Sequence, residues 1–310
     1  VMASRCINII ANLWHSPETN ESKTGALGIG SSEACMLGGV AAWLRWRHRR
    51  MKEGKPVDKP NLVISTGMQV VWEKFCKLWQ IELRQVPLTR EKRTLCAEDA
   101  IKLCDENTIC VVGIAGVTWT GLNDDIEELD KELDKYNAHT GYNIPIHVDG
   151  ASGGFILPFI KPHHKWDFRL KWVASISTSG HKFGLVYPGL GWVVWRDKSY
   201  LPEEMSFSVN YLGAEVTQVG LNFSRPAAQV LGQYYNFIRL GRKGYEAIHH
   251  NSMEIAKYCH KRIGEMHCFQ NYSDEVVNPL FVWMMNDNYN KTAKWTLYDL
   301  QARLQQSGWM

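Results

Sequence analysis

The 310 residues carry 35 Lys and Arg against 32 Asp and Glu, a net charge of +3, too small an excess to argue for a nucleic-acid partner. With 45 % hydrophobic and 22 % charged residues and a mean hydropathy of −0.28, the chain can bury a full core, as one large domain or one large and one small. No apolar run approaches the roughly 20 residues that span a bilayer, and the eight cysteines show no CxxC pair and no Cys/His metal spacing, so reduced, buried thiols in a cytoplasmic protein are expected.

Residues 5–14 carry apolar residues at helical spacing, and the polar stretch 15–23 reads as a loop. The glycines of GALGIGSSEACM then give way to a helix over 32–53. Ser31-Ser32-Glu33 at its start reads as N-cap chemistry, its arginine-rich end (Arg45, Arg47, Arg49, Arg50) suits the helix dipole, and Gly54 serves as C-cap. Strands are expected at 61–65, 81–86, 109–115, 144–148, 171–177 and 191–196, and helices at 70–79, 98–105 and 124–139. A long helix over 225–242 continues, with a bend near Gly241 to Gly244, to about residue 264. A strand at 281–285 and a helix at 297–307 follow.

Alternating strands and helices predict an α/β domain with a mostly parallel sheet and helices on both faces, whose chemistry lies at the carboxyl ends of the strands. Thr118, Asp149 and Lys182 each follow an expected strand, so the pattern places three polar candidates on one rim. The domain boundary is expected near Asn251: a large domain over 1–250, incomplete at its N-terminus, and the start of a small α+β domain over 251–310. The chain begins inside a helical stretch and stops directly after another, which predicts a fragment lacking both ends.

Lys182 lies in SISTSGHKFG among Ser175, Ser177, Ser179, Gly180 and Gly184. An amine that meets a cofactor carbonyl needs such small neighbours, and partial desolvation to lower its pKa. This motif reads either as a Schiff-base lysine for pyridoxal phosphate or as a solvated loop lysine. GIGSSEA offers free N–H groups and two hydroxyls to a phosphate, or is simply a serine-capped helix. In HVDGASGGF, Asp149 ends a strand ahead of Ala151, Gly153 and Gly154. A buried carboxylate needs a cationic partner, such as a protonated pyridine nitrogen, and the small residues leave room for a flat ring. His163-His164 and His249-His250 lack a third metal ligand, and no metal is expected. Phosphate loop, Asp and Ser-x-His-Lys, in that order, form the layout of a fold-type I pyridoxal-phosphate enzyme.

GSSEACM, HVDGASGGF, SISTSGHKFG, GWVVWRD and NFSRPA resemble the group II pyridoxal-phosphate-dependent decarboxylases, and DKPNLV, WDFRL and NYLG resemble their glutamate branch. The resemblance runs from about Arg5 to the end. It implies that Lys182 carries pyridoxal 5'-phosphate as an aldimine, Asp149 pairs with the pyridinium nitrogen and Ala151 packs on the ring. It further implies that Ser31, Ser32, Ser179 and His181 hold the phosphate, Gln69 covers the opposite ring face and Thr118 contacts the cofactor. Ser224 matches a serine reaching a neighbouring subunit's phosphate, which implies a homodimer or larger homo-oligomer. The catalytic set is then Lys182, Asp149 and His181. The implied reaction is decarboxylation of L-glutamate to 4-aminobutyrate and CO2, through an external aldimine and a quinonoid. The alternatives are a related decarboxylase or lyase with another substrate, or an inactive cofactor-binding fragment. Gly150 departs from the family's usual alanine. The segments that receive the substrate's two carboxylates in the family match nothing here, so no residue of this chain takes those roles.

Overall fold

The computed structural model describes residues 1–211, 214–222 and 224–309. Helix α1 (Met2–Leu13) leads to strand β1 (Gly25–Gly28), helix α2 (Ser31–Lys52), β2 (Asn61–Ser65), α3 (Val70–Leu78) and β3 (Glu82–Val86). Then come α4 (Ala97–Lys102), β4 (Thr108–Ile114), α5 (Ile126–Thr140), β5 (Ile146–Asp149), the short α6 (Leu157–Ile160), β6 (Val173–Ser179) and β7 (Gly191–Trp195). These strands form one sheet in the order β1-β7-β6-β5-β4-β2-β3. The five from β3 to β6 are parallel, while β7 runs antiparallel to both β6 and β1.

The central strands are buried along their whole length, which explains their near-continuous apolar runs. Alternation sends Val63, Val111, Val148 and Ile176 to one face, against α1, α4, α5 and the helix after β9 described below. Leu62, Ile64 and Val112 go to the other, against α2 and α3. Helix α2 lies very close to the sheet. A Cβ on Gly38 would stand 2.4 Å from the His147 ring, and one on Gly39 would stand 2.6 Å from Phe75.

Several short elements were not expected from the sequence, among them α6 and strand β1, whose four residues with two glycines carry no strand signal; a Cβ on Gly25 would meet Ile7 at 2.6 Å, so packing selects glycine there. A hairpin of β8 (Phe207–Tyr211) and β9 (Ala214–Gln218) was also not expected. The tip of the NYLG motif, Leu212 and Gly213, lies outside the described residues, as does Phe223 of NFSRPA.

Helix α7 (Ala228–Gly264) bends at Gly241 (φ 58°), where the bend was expected, and passes through Asn251 as continuous helix. Beyond it, β10 (Phe269–Asn271) and β11 (Trp283–Met285) pair antiparallel, followed by α8 (Asp287–Asn290) and α9 (Leu297–Gln306), which buries no residue. This segment is pinned to the residues around the main sheet by Arg93 donating to the Tyr272 carbonyl (2.7 Å) and Asn278 donating to the Gly121 carbonyl (3.0 Å). None of the eight cysteines is in a disulfide, and five are buried. Among the described residues no helix is long and apolar enough to cross a membrane.

Candidate active site

The strand register draws the site's baseline. Gly28 of β1 stands opposite Gly191 of β7, and Gly191 opposite Ser179 of β6. Next along the edge, Ser177 stands opposite Asp149 of β5, and Asp149 opposite Ile114 of β4. The carboxyl ends of β1, β6, β5 and β4 thus form one rim. A narrow cleft opens on it, lined by Gln69, Thr118, Asp149, Ala151 and Lys182, together with Gly67, Gly116 and Ser152. Five residues singled out from the sequence therefore meet in one place.

Asp149 is 3 % exposed. Its Oδ2 accepts from Trp72 Nε1 at 2.8 Å and its Oδ1 from the Ala151 backbone N–H at 3.1 Å. Both donors are neutral, so neither cancels the carboxylate's charge where it lines the cleft. On the α2 side of the sheet, the imidazole of His147 bonds Ser175 Oγ (2.7 Å) and Ser177 Oγ (3.0 Å), and Ser177 Oγ contacts Cys35 Sγ at 3.2 Å. Burial lowers the pKa of His147 to about 3, so it is neutral at ordinary pH. Burial first, and then the charge of Asp149, raise that of the Cys35 thiol. Asp149 thus sits on a polar but uncharged layer.

Lys182 stands in the connection between β6 and β7. Its side chain is exposed, and it lines the cleft beside Ala151, Ser152 and Gly67. Ser179, three residues before it, is completely buried, and its Oγ has no hydrogen-bond partner among the described residues. His181 is half-buried, near Gly30: its Nδ1 lies 3.3 Å from the Leu190 carbonyl, and a Cβ on Gly30 would stand 3.5 Å from its ring.

The start of α2 also differs from expectation. Gly30 (φ 88°) is the N-cap, with no side-chain cap. Ser31 and Ser32 lie inside the first turn, and Glu33 reaches back to the Ile29 N–H at 2.7 Å. Glu33 also accepts from the Leu221 N–H (3.0 Å), holding a distant loop. The first N–H groups of a 22-residue helix are therefore left without a side-chain cap beside a buried, unpartnered hydroxyl. That is an anion cradle. The donor set along the rim reads as anion cradle, amine, carboxylate, and it fits a flat molecule with a phosphate at one end and a basic ring nitrogen at the other. Ser224 is exposed and does not line the cleft.

Sequence reasoning missed Trp72 and Asp124. Trp72 lies one helical turn after Gln69, and a buried indole N–H needs an acceptor. Asp124 was read as part of the α5 first turn. Instead Asp125 caps that helix, and Asp124 turns inward to accept from the N–H groups of Leu95 (2.8 Å) and Ile114 (2.7 Å). Burial, reinforced by the nearby charge of Asp149, raises its pKa to about 6 against the pull of those two bonds.

Residues 1–285 match the pyridoxal-dependent decarboxylase conserved domain. The chain is 50 % identical over 310 residues to glutamate decarboxylase beta of Listeria innocua, covering 99 % of this chain and 66 % of that protein. It is 51 % identical over 308 residues to glutamate decarboxylase of Lactococcus lactis subsp. cremoris, with the same coverage. It thus spans just under two thirds of the length of these relatives. The solved structure of Lactobacillus brevis glutamate decarboxylase superposes with a TM-score of 0.94 at 47 % identity, over 100 % of this chain and 70 % of that one. The chain belongs to the pyridoxal-dependent decarboxylase family.

Proposed function

We propose that this chain is the cofactor-binding core of a glutamate decarboxylase, which converts L-glutamate to 4-aminobutyrate and CO2 with pyridoxal 5'-phosphate. The observation that carries the reading is the rim itself, with Lys182 and Asp149 lining one cleft beside an open helix N-terminus and the orphaned Ser179 hydroxyl. The family and the glutamate decarboxylase relatives near 50 % identity support the substrate.

When bound, the cofactor supplies an electron sink for the bond broken at the substrate's Cα. The α2 N-terminus, Ser31, Ser32, Ser179 and His181 would hold its phosphate. Asp149 would take the ring nitrogen and keep a proton on it, because separating that proton from a buried carboxylate costs free energy. Ala151, Gln69 and Thr118 would supply the contacts to its ring. Lys182 would supply the amine that holds the cofactor, and as a free amine would be the group that delivers a proton to the substrate's Cα. One proton enters as each CO2 leaves. Ser224, exposed two residues beyond the loop that Glu33 holds, would serve a neighbouring subunit's phosphate in a homodimer, and the protein works in the cytoplasm.

The test uses the full-length protein loaded with pyridoxal 5'-phosphate. L-Glutamate should give 4-aminobutyrate and CO2 in equal amounts, with L-aspartate and aromatic amino acids far slower. Lys182→Ala should lose the visible absorbance of the bound cofactor and lower turnover by roughly 10⁴-fold or more. CO2 release at the wild-type rate by that variant would sink the assignment.

A further inference from the structure

The turn that carries Lys182 is gripped from behind by helix α7. The Gly184 carbonyl accepts from Gln233 Nε2 and from the Tyr245 hydroxyl, each at 2.9 Å. Gln233 Nε2 also donates to the Tyr245 hydroxyl at 3.1 Å, which closes a triangle of three polar groups. Gln233 is 0 % exposed and Tyr245 is 1 % exposed. One residue further on, Asn236 Nδ2 donates to the Leu185 carbonyl at 2.7 Å. Leu185 has φ 64°, a left-handed conformation that a leucine adopts only when its surroundings impose it. The turn is tight: the Leu185 N–H reaches the carbonyl of Lys182 itself at 3.3 Å. Gly184 has no room for a side chain, since a Cβ there would stand 2.5 Å from the Gly180 carbonyl and 2.9 Å from Gln233 Oε1.

A buried glutamine is a costly way to fill a helix face that apolar residues could fill. Burying one whose Nε2 bonds the Gly184 carbonyl and the Tyr245 hydroxyl, while its Oε1 accepts from Trp192 Nε1 of β7 at 3.4 Å, ties the turn of a single lysine to helix and sheet and fixes one arrangement of it. The Lys182 side chain is left unclamped. We propose that Gln233 and Tyr245 are positioning residues for Lys182: through the Gly184 carbonyl they hold the strained turn that aims the amine along the cleft. The inference rests on the reading of Lys182 as the reactive amine. Neither residue touches cofactor or substrate, and both act on the backbone two residues beyond the lysine.

The experiment uses the full-length, cofactor-loaded protein and the variants Gln233→Leu and Tyr245→Phe. Three quantities are read: kcat and KM for L-glutamate, the pH midpoint at which the visible cofactor band changes, and the peptide labelled when borohydride reduces the bound cofactor onto the protein. Gln233→Leu should lower kcat roughly 10- to 100-fold, as a misplaced reacting group does. KM should stay within about threefold, and the band's midpoint should move. Tyr245→Phe keeps the bond from Gln233 to the Gly184 carbonyl and should change in the same direction by less. A merely structural role would lower the melting temperature and leave the midpoint of the folded fraction where it is. A folded Gln233→Leu with wild-type kcat and midpoint overturns the inference. Should that variant not fold, Tyr245→Phe decides: a lowered kcat with a moved midpoint supports the clamp, and wild-type values overturn it. Label on Lys182 in the wild type keeps the underlying reading intact whatever the variants do. Label elsewhere sinks that reading first, and the clamp with it.

Discussion

Asp149 is bonded through its side chain, by an indole and a backbone N–H, on a layer whose hydroxyls and imidazole satisfy one another. Lys182 is held through its backbone, on the following side by Gln233, Tyr245 and Asn236 and on the preceding side by the bonds of Gly180 to Leu190 and Val186, and its side chain stands exposed. The difference matches two tasks. A carboxylate that stabilises charge works best when it cannot reorient. An amine that must leave one carbon and approach another needs a fixed base and a free arm. The wall behind each group differs in the same sense: His147 uses both ring nitrogens, whereas His249, in the wall behind the Lys182 loop, uses neither.

Asp149→Asn is the hardest test of this contrast. It keeps the shape and removes the charge, so the ring nitrogen loses the reason to stay protonated. Turnover should fall by roughly 10²- to 10³-fold, with cofactor content and folding retained. Steady-state kinetics on the cofactor-loaded variant decides it, and near-wild-type kcat would mean that Asp149 is only a structural cap. Trp72→Phe asks whether immobility itself matters. It removes the N–H bonded to Oδ2 but leaves the charge, and a hydrogen bond to a charged group contributes about 1.5–3 kcal/mol. A loss of about tenfold in kcat is expected, with KM nearly constant. If turnover survives while only the melting temperature drops, Trp72 serves the core and not the carboxylate.

The sequence carried the contrast unevenly. Parallel strands buried on both faces are the easiest elements to read, and β2, β4 and β6 lie close to where their apolar runs place them. The rim follows from them, which is why Thr118, Asp149 and Lys182 could be grouped before any contact was known. What stayed hidden depends on approach distance. Strand β1 has no strand-like composition, because Ile7 and the Val193 carbonyl crowd Gly25. Gly30, and not a serine, caps α2, since the turn into the helix needs a positive φ. The partners of Asp149 and of the Lys182 turn, Trp72 and Gln233, lie 77 and 49 residues away from the groups they bond, and nothing local marks them.

Ser179→Ala separates cofactor binding from folding. Its buried hydroxyl has no partner among the described residues, so deleting it should leave the cofactor-free protein as stable as wild type or more so. The loaded protein loses one bond to a charged ligand, and the cofactor Kd should rise roughly tenfold. Equilibrium dialysis beside denaturant unfolding reads both. A cofactor-free variant much less stable than wild type, with unchanged Kd, would show that the hydroxyl belongs to the fold.

The smallest effect concerns the wall behind Lys182. His249 is fully buried, with Phe159, Phe183 and Tyr245 around it at ring separations of 5.6–5.8 Å. Burial lowers its pKa to about 4; the backbone of Phe183 favours the proton and His250 opposes it. The folded pKa lies below the ordinary value of 6.5. The neutral ring's contribution is therefore complete above pH 6.5 and is lost as pH falls towards 4, at about 1.4 kcal/mol per pH unit. His147 acts in the same direction over the window from 6.5 to about 3. Asp124 acts in the opposite one: its pKa is raised to about 6, so its neutral form stabilises at low pH and that gain disappears as pH rises through 6. Between pH 4 and 6 Asp124 offsets one histidine, and the second remains. His249→Phe removes that second one. At pH 7 it should be neutral or slightly stabilising, and between pH 6 and 4 its stability should fall less steeply than that of wild type by about 1.4 kcal/mol per pH unit. Urea unfolding at pH 7, 6, 5 and 4 measures the difference, and parallel curves for the two proteins would mean that His249 is already protonated in the fold.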